Sequence, residues 1–352
     1  MIPAHNIYIH VPYCAAKCRY CAFFSHACAN PDWSTYAANI CLEIRAWRDR
    51  MDRISVPTVF FGGGTPSLMP AQIFEQIINA LRQSFDIASN AEITIEANPG
   101  TIGPDKLRDF VTIGLNRLSI GVQSLNDEEL RYLGRIHSAH DALKLIDAAL
   151  KIGLRTSADF IYALPGWDKK NVRSLCQQIN DLGLRHCSLY ELTIERGTPL
   201  AQENPIMPDN DSMADMYNAI GETLALPRYE VSNYAAPGEE CRHNVNVWDG
   251  EPYIGIGRGA AGRVLIDGTW HEQTGGPDGI CTPISDTTRA VERIITGMRT
   301  TRGTRIDDIT NRILAWEYID AHPELVTRHG NRLRTTERGR LILDDLLVNL
   351  VG

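Results

Sequence analysis

Short apolar segments alternate with amphipathic helical patterns six times between residues 6 and 193. The segments T-V-F-F-G and I-Y-A-L-P are nearly continuous apolar runs, as expected of parallel strands that are buried on both faces. This alternation predicts an α/β fold with a parallel sheet and right-handed crossovers. Six strand-helix units favour an incomplete (βα)6 barrel over the full eight-fold one. The predicted strands span residues 6–11, 56–61, 93–97, 117–122, 156–164 and 186–193.

The pattern changes after residue 193, which indicates a second part of the chain. We predict a partial barrel over residues 1–230, a connecting segment over 231–285 and a small α-rich C-terminal module with a short hairpin over 286–352. One further strand is predicted at 229–234. Residues 268–285 are polar and rich in Gly and Pro, so they are predicted to form a loop.

Composition excludes several classes of protein. The chain has 352 residues, 43% of them hydrophobic, which is enough for one large domain and a small second one. A net charge of −8 and the lack of a basic run argue against a nucleic-acid partner. We expect no transmembrane segment, because no apolar run reaches the length that spans a bilayer. Nine cysteines without an export signal indicate a reducing compartment, and we expect a cytoplasmic location.

Three cysteines form a C-x3-C-x2-C triplet directly after the first predicted strand: Cys14, Cys18 and Cys21. Three thiolates on one loop can hold three irons of a [4Fe–4S] cube. The fourth iron then stays open for a reacting ligand, as one position does in catalytic zinc sites. The spacing alone leaves open a structural or zinc-binding role. It resembles the radical S-adenosylmethionine (radical SAM) superfamily, in which the open iron binds the amino and carboxylate groups of SAM.

Four polar residues follow or end predicted strands: Glu96, Gln123, Arg135 and Asp159. A charged side chain inside an apolar strand is costly unless it is paired, so any one of them alone is explained by a structural ion pair. Four that face the same end of a barrel indicate a zwitterionic, hydroxyl-rich ligand. With SAM as that ligand, Arg135 is expected to bind the carboxylate through its planar fork. The other three are expected to bind the amino group and the ribose hydroxyls.

The run G-G-G-T-P follows the second predicted strand and contains Gly63, Gly64 and Thr65. Glycines permit a tight turn and a close approach of the backbone, so a purely structural turn is the alternative. The run resembles the radical SAM motif that meets the amino group of SAM. Tyr20 is a candidate for stacking on adenine, although it is also explained by packing alone. Tyr8, in the strand before the cysteines, is included among the cofactor-binding candidates.

The chain also resembles a narrower group within this superfamily, the oxygen-independent coproporphyrinogen III oxidases and, more closely, the HemW-type heme chaperones. The resemblance covers most of residues 7–260 and is carried by several segments in the same order. These segments are Y-I-H-V-P-Y-C-A-A-K-C-R-Y-C, F-F-G-G-G-T-P-S, I-E-A-N-P, S-I-G-V-Q-S, L-G-R-I-H, S-L-Y-E-L-T-I-E-R-G-T-P, Y-E-V-S-N-Y-A and C-R-H-N.

Three features separate the chaperones from the oxidases. Phe23 stands where the oxidases have a fourth cysteine, and only thirteen residues precede Cys14 where the oxidases have a long arm. The segment from His243 to Trp248 resembles the H-N-x-x-Y-W signature of the chaperones, which implies heme binding. His243 is then expected to be an axial ligand or to lie beside one, with Trp248 against the macrocycle, on an exposed flank of the barrel. The alternative is a hydrogen-bonded anchor of a loop.

The chain departs from the family pattern at three positions. Val247 replaces the tyrosine of the signature, which removes a hydroxyl group. Ala261 stands where the family has histidine, and Ala163 replaces a glycine in Y-G-L-P-G. The first two departures concern the heme site, whereas the residues expected to bind SAM are unaffected.

The resemblance implies a heme chaperone that carries a [4Fe–4S] cluster and SAM, with heme and unidentified heme-accepting proteins as its partners. The alternative is an enzyme, a radical SAM decarboxylase that converts coproporphyrinogen to protoporphyrinogen. An RNA-modifying radical SAM enzyme is disfavoured by the negative charge. The sequence leaves open whether SAM is cleaved, which protein accepts heme and how many chains assemble.

Overall fold

The first half of the chain alternates strands and helices in the predicted rhythm. The computed structural model of the protein describes residues 4–51 and 53–351. In chain order its first elements are β1 (Asn6–Val11), β2 (Tyr13–Cys14), β3 (His26–Ala27), α1 (Trp33–Arg50), β4 (Ser55–Gly63), α2 (Ala71–Ser84), β5 (Asp86–Ala97), α3 (Pro104–Ile113), β6 (Arg117–Gln123), α4 (Asp127–Leu133), α5 (Ala139–Lys151), β7 (Arg155–Tyr162), α6 (Lys169–Asp181) and β8 (His186–Glu191), with a 3₁₀ turn at Pro66–Leu68.

The second half contains shorter elements. They are α7 (Pro199–Gln202), α8 (Asn210–Thr223), β9 (Arg228–Glu230), β10 (Asn233–Ala235), α9 (Arg242–Trp248), β11 (Tyr253–Ile256), β12 (Ala261–Ile266), β13 (Thr269–Thr274), β14 (Cys281–Pro283), α10 (Asp286–Gly297), β15 (Thr304–Arg305), α11 (Asp308–Ile313), α12 (Trp316–Ala321), β16 (Val326–His329), β17 (Arg332–Thr335), α13 (Glu337–Leu341) and α14 (Leu343–Leu350). Within the described ranges, every helix is too short or too polar to cross a bilayer.

One large sheet organises the fold, in the strand order β14-β13-β12-β11-β1-β4-β5-β6-β7-β8-β10-β9. The six predicted strands are its centre, and each of them is parallel to its neighbour. Strand β11 adds a seventh parallel strand beside β1. The strands beyond β11 and β8 are antiparallel. The predicted α/β class with a parallel sheet and a C-terminal helical region is therefore confirmed.

The loop predicted at 268–285 is wrong in part, because β13 and β14 lie within it. Asp267 and Gly268, both with positive φ, form the turn between β12 and β13, and an Asp-Gly pair is a strong hairpin signal. The buried amide of Gln273 then ties β13 to β11 through the backbone N–H and carbonyl of Gly255, at 2.9 and 2.7 Å. The single strand predicted at 229–234 is two short antiparallel strands, β9 and β10.

Side chains alternate between the two faces of the sheet along each parallel strand. Val59 and Phe61 of β4, and Ile93 and Ile95 of β5, belong to the main hydrophobic core beneath the helices. Successive side chains of a strand point to opposite faces, so Glu96, which follows Ile95, points to the inner side. A second hydrophobic cluster lies in the C-terminal part, around β15, β16, β17 and the last helices. The domain boundaries at 230 and 285 stay a prediction.

Candidate functional site

A cavity of about 450 Å³ lies at the carboxyl ends of the parallel strands. Eleven of the thirteen predicted site residues line it, and the other two, Tyr8 and His243, do not. The eleven are Cys14, Cys18, Tyr20, Cys21, Gly63, Gly64, Thr65, Glu96, Gln123, Arg135 and Asp159. The carboxyl ends of parallel strands are where such folds place their ligands.

The cysteine loop is fixed at both ends. It starts in β2, where Cys14 is buried, and it turns between Cys18 and Cys21 through a backbone hydrogen bond of 3.3 Å. The Arg19 N–H donates to the carbonyl of Leu133 at 3.1 Å, which ties the loop to the end of α4. None of the three thiols is in a disulfide bond. The backbone contacts hold them at one side of the cavity.

The donor set suits an iron–sulfur cube, because three thiols of one loop line the same cavity. Among the described residues, no three His, Cys, Asp or Glu side chains converge closely enough to ligate one ion. A cube does not need such convergence, because each thiolate binds a different iron. Burial raises the pKa of the Cys21 thiol, and the neighbouring Cys18 and Cys14 raise it further. Cations at this place would relieve that cost, since metal binding deprotonates thiols.

Arg135 connects the cysteine loop to the strand ends. One of its terminal nitrogens lies 3.3 Å from the Cys18 sulfur, and the other donates to the carbonyl of Gly121 at 2.7 Å and to the side-chain oxygen of Asn98. The Asn98 side chain donates in turn to the Thr65 hydroxyl at 2.9 Å. Asn98 was not predicted as a site residue, although it belongs to the segment I-E-A-N-P.

The glycine turn packs directly against the start of the cysteine loop. A Cβ at Gly64 would lie 2.6 Å from the carbonyl oxygen of Tyr13, and one at Gly63, with φ at +114°, would lie 2.5 Å from the His10 ring. The Thr65 N–H donates to the Tyr13 carbonyl at 2.7 Å. Contacts within the protein therefore already require the two glycines. Within the described residues the Gly64 carbonyl accepts no hydrogen bond, so it is free to accept one from a ligand.

Two carboxyl groups share the cavity without an ion-pair partner among the described residues. Glu96 accepts the Gly63 N–H at 3.0 Å, and burial followed by the charge of Asp159 raises its pKa to about 8. Burial also raises the pKa of Asp159, although hydroxyl groups such as that of Ser119, at 2.9 Å, oppose the rise. Two carboxyl groups that resist ionisation favour a ligand that brings positive charge.

Gln123 ends β6 in an unusual backbone conformation. Its φ is +67°, and the pairing of β6 with β7 shifts register between Gly121 and Gln123. Non-glycine residues with positive φ are strained and occur preferentially at ligand sites. The sequence gives no signal for this strain, because it depends on how β6 pairs with its neighbour.

The two tyrosine candidates differ in position. Tyr20 lines the cavity and packs on the apolar cluster that contains Leu133. Tyr8 lies deeper, where its hydroxyl is 3.0 Å from Nδ1 of His10 and its ring lies near those of Phe60 and His243. Tyr8 therefore packs in the interior beside His10 and does not line the cavity.

His243 was expected on an exposed flank of the barrel, but the structure buries it. It is in α9, with 5% of its surface exposed, and its Nδ1 lies 2.8 Å from the Thr58 hydroxyl. Its backbone N–H donates to Glu92 at 3.1 Å. Burial lowers the pKa of its imidazole to about 3. Its role as an axial ligand stays a prediction.

Comparison with known proteins identifies the fold and the family. The radical SAM superfamily matches residues 8–179. The solved structure of coproporphyrinogen III oxidase (HemN) from Escherichia coli, a radical SAM enzyme, matches with a TM-score of 0.80 at 20% identity, over 99% of this chain and 89% of that one. This likeness shows the fold alone, and the predicted radical SAM fold is confirmed.

Curated relatives match in sequence as well. The heme chaperone HemW of Escherichia coli K12 is 38% identical over 273 residues, which cover 75% of this chain and 71% of that protein. The heme chaperone HemW of Mycobacterium tuberculosis H37Rv is 32% identical over a gapped alignment of 378 positions, which covers 99% of this chain and 95% of that protein. The chain therefore belongs to the HemW family of the radical SAM superfamily.

Proposed function

We propose that this protein is a heme chaperone that holds a [4Fe–4S] cluster and SAM in the cavity at the strand ends. The part of the proposal that concerns the cluster and SAM rests on one observation, the convergence of eleven predicted residues on one cavity. The heme half rests on the family, whose curated relatives bear the name heme chaperone.

The three thiols are the proposed ligands of the cluster. Cys14, Cys18 and Cys21 lie at one side of the cavity, and within the described residues no further cysteine lines it. When bound, a three-ligand [4Fe–4S] cluster supplies an electron and one open coordination position. Arg135, with a terminal nitrogen 3.3 Å from the Cys18 sulfur, would place a positive charge beside the bound cluster.

The carboxyl groups and the glycine turn are the proposed ligands of SAM. Glu96 and Asp159 would bind its cationic groups, since an opposite charge favours their ionised forms. The Gly64 carbonyl would accept from its ammonium group. Arg135 is expected to donate to its carboxylate, because its guanidinium already faces the cysteine loop.

The proposal includes delivery of heme to an acceptor protein that the chain itself does not identify. A cytoplasmic location and the absence of a nucleic-acid partner remain part of the proposal. Among the described residues none of the nine cysteines is in a disulfide bond, which supports a reducing compartment.

Titration with heme tests the function. Anaerobically reconstituted protein is expected to bind one heme per chain, with a saturable Soret band. The same titration in the presence of SAM then shows whether the two ligands affect each other. A linear, unsaturable absorbance change would show only nonspecific heme and would contradict the proposal.

The alternative function is oxidation of coproporphyrinogen. It is favoured only by the shared fold with HemN. Phe23, at the position of the oxidase's fourth cysteine, lines the cavity and is 70% exposed, so the chain has no thiol at that place. Anaerobic incubation with SAM, a reductant and coproporphyrinogen should yield no protoporphyrinogen.

A further inference from the structure

Asn98, directly after β5, links the glycine turn to Arg135 and lines the main cavity. Its side-chain nitrogen donates to the Thr65 hydroxyl at 2.9 Å, and its side-chain oxygen accepts from a terminal nitrogen of Arg135. An asparagine side chain offers a donor and an acceptor at once, and here each has a partner from a different segment of the chain. The side chain therefore has one defined orientation, with its oxygen towards Arg135.

The turn that follows β5 also fixes the backbone of Asn98. Its carbonyl accepts the Thr101 N–H at 3.1 Å and the Thr101 hydroxyl at 2.6 Å, and that hydroxyl lies 2.6 Å from the Ser67 hydroxyl. Gly121 of β6 leaves room for the side chain, because a Cβ at that position would lie 2.8 Å from the Asn98 oxygen. Three neighbouring segments thus determine where Asn98 lies.

The acceptors that hold the Arg135 guanidinium are uncharged. The nitrogen that donates to Asn98 also donates to the carbonyl of Gly121 at 2.7 Å, so both of its N–H groups are used. The other terminal nitrogen lies 3.3 Å from the Cys18 sulfur. Among the described residues Arg135 forms no ion pair, although carboxyl groups line the same cavity. Its positive charge therefore stays available to a ligand.

We propose that Asn98 is a positioning residue that holds Arg135 in place without neutralising it, and thereby makes the cavity selective for a ligand with a carboxylate. The inference rests on the proposed function, in which Arg135 donates to the carboxylate of SAM. A carboxylate at position 98 would pair with Arg135 and compete with that of SAM, because hydrogen bonds between two charged groups are the stronger ones. The uncharged amide orients the guanidinium and does not compete in this way.

Binding of SAM and of decarboxylated SAM, which lacks only the carboxylate, tests the proposal on the reconstituted full chain. Equilibrium dialysis measures both affinities, and the iron content of the same samples reports the cluster. Asn98→Asp should weaken SAM binding at least about tenfold, whereas decarboxylated SAM should bind within about threefold of wild type or more tightly. Asn98→Ala should weaken SAM binding about fivefold, because Arg135 loses an acceptor that fixes it.

Asn90→Asp is the matched control, because it makes the same substitution at an exposed position of β5. Both ligands should bind to it as they bind to wild type. Asn98→Asp in the Arg135→Ala background separates positioning from direct contact with the ligand. If Asn98 acts through Arg135, the second substitution should not lower the SAM affinity further. A further loss of affinity for both ligands would show that Asn98 contacts the ligand itself and would overturn the proposal.

Two other results would also overturn it. Equal loss of SAM and decarboxylated SAM in both Asn98 variants would show that Asn98 supports the cavity as a whole. Wild-type affinity for SAM in Asn98→Asp would show that charge at this position does not matter. Either result, with SAM still bound by wild type, would leave the proposed function standing. Failure of wild-type protein with an intact cluster to bind SAM would instead refute the part of the proposed function that concerns SAM, and this inference with it.

Discussion

The Thr58 hydroxyl lies 2.8 Å from Nδ1 of His243 in the interior of the parallel sheet. The two residues are 185 positions apart in the chain. Helix α9 also contacts the neighbouring strand, where the backbone N–H of His243 donates to Glu92 at 3.1 Å. The first residue of the H-N-x-x-x-W segment is thus built into the body of the fold.

His243→Ala should lower the free energy of unfolding by about 2–4 kcal/mol, because it creates a cavity and removes one of the two hydrogen bonds of the buried Thr58 hydroxyl, which keeps its bond to Asn6 Oδ1 at 2.8 Å. Urea unfolding of the cluster-free protein measures this change. Asn244→Ala, at the next and partly exposed position, is the control and should change stability by less than about 0.5 kcal/mol. The Soret spectrum of folded His243→Ala with heme tests the ligand role separately. An unchanged unfolding free energy would contradict the structural role.

Arg135→Ala should weaken SAM binding roughly tenfold to a hundredfold, because a hydrogen bond to a charged group contributes about 1.5–3 kcal/mol. Equilibrium dialysis of reconstituted protein against SAM measures this, with iron content determined in the same sample. Arg131→Ala, at an exposed arginine of α4, is the matched control. Wild-type affinity in Arg135→Ala with an intact cluster would show that Arg135 does not bind SAM.

Glu96→Gln should remove part of the pH dependence of stability in the ligand-free protein. Burial raises the pKa of Glu96 from 4.5 to about 8 in the folded state. Its contribution to stability is therefore complete below about pH 4.5 and is lost as pH rises to about 8. Between pH 5.5 and 8, the unfolding free energy of wild type should fall more steeply than that of the variant. Parallel curves for the two proteins would contradict the raised pKa.

Ala163→Gly should stabilise the protein by about 1 kcal/mol, because Ala163 has a φ of +60° and alanine is strained there. Alanine in place of the family's glycine is thus expected to lower the stability of the folded protein. Ala149→Gly, in the interior of α5, is the matched control and should destabilise by about 1 kcal/mol or more. Destabilisation by both substitutions in thermal unfolding would show that the backbone at Ala163 is not strained.

The centre of the fold could be predicted because its signals are local. The six parallel strands are apolar runs bounded by turns, and their carboxyl ends necessarily meet at one edge of the sheet. The convergence of Arg135, Glu96 and Asp159 on one cavity follows from that geometry. Strands β13 and β14 were missed because they are polar, and the bonds of the Gln273 side chain to Gly255 stabilise them across the sheet.

Other features of the site depend on pairings that a linear pattern does not contain. Asn98 acts by joining Thr65 to Arg135, and each of these partners lies more than thirty positions away. The burial of His243 depends on the return of α9 to the sheet. The positive φ of Gln123 depends on a register shift.

The iron and acid-labile sulfide content of Cys18→Ala after anaerobic reconstitution tests the central claim most directly. The account predicts about four irons per chain in wild type and the loss of most of this iron in Cys18→Ala. Cys28→Ala is the matched control, because Cys28 follows the loop but does not line the cavity, and it should keep the wild-type content. Full iron retention in Cys18→Ala, or equal loss in both variants, would contradict a cluster held by Cys14, Cys18 and Cys21.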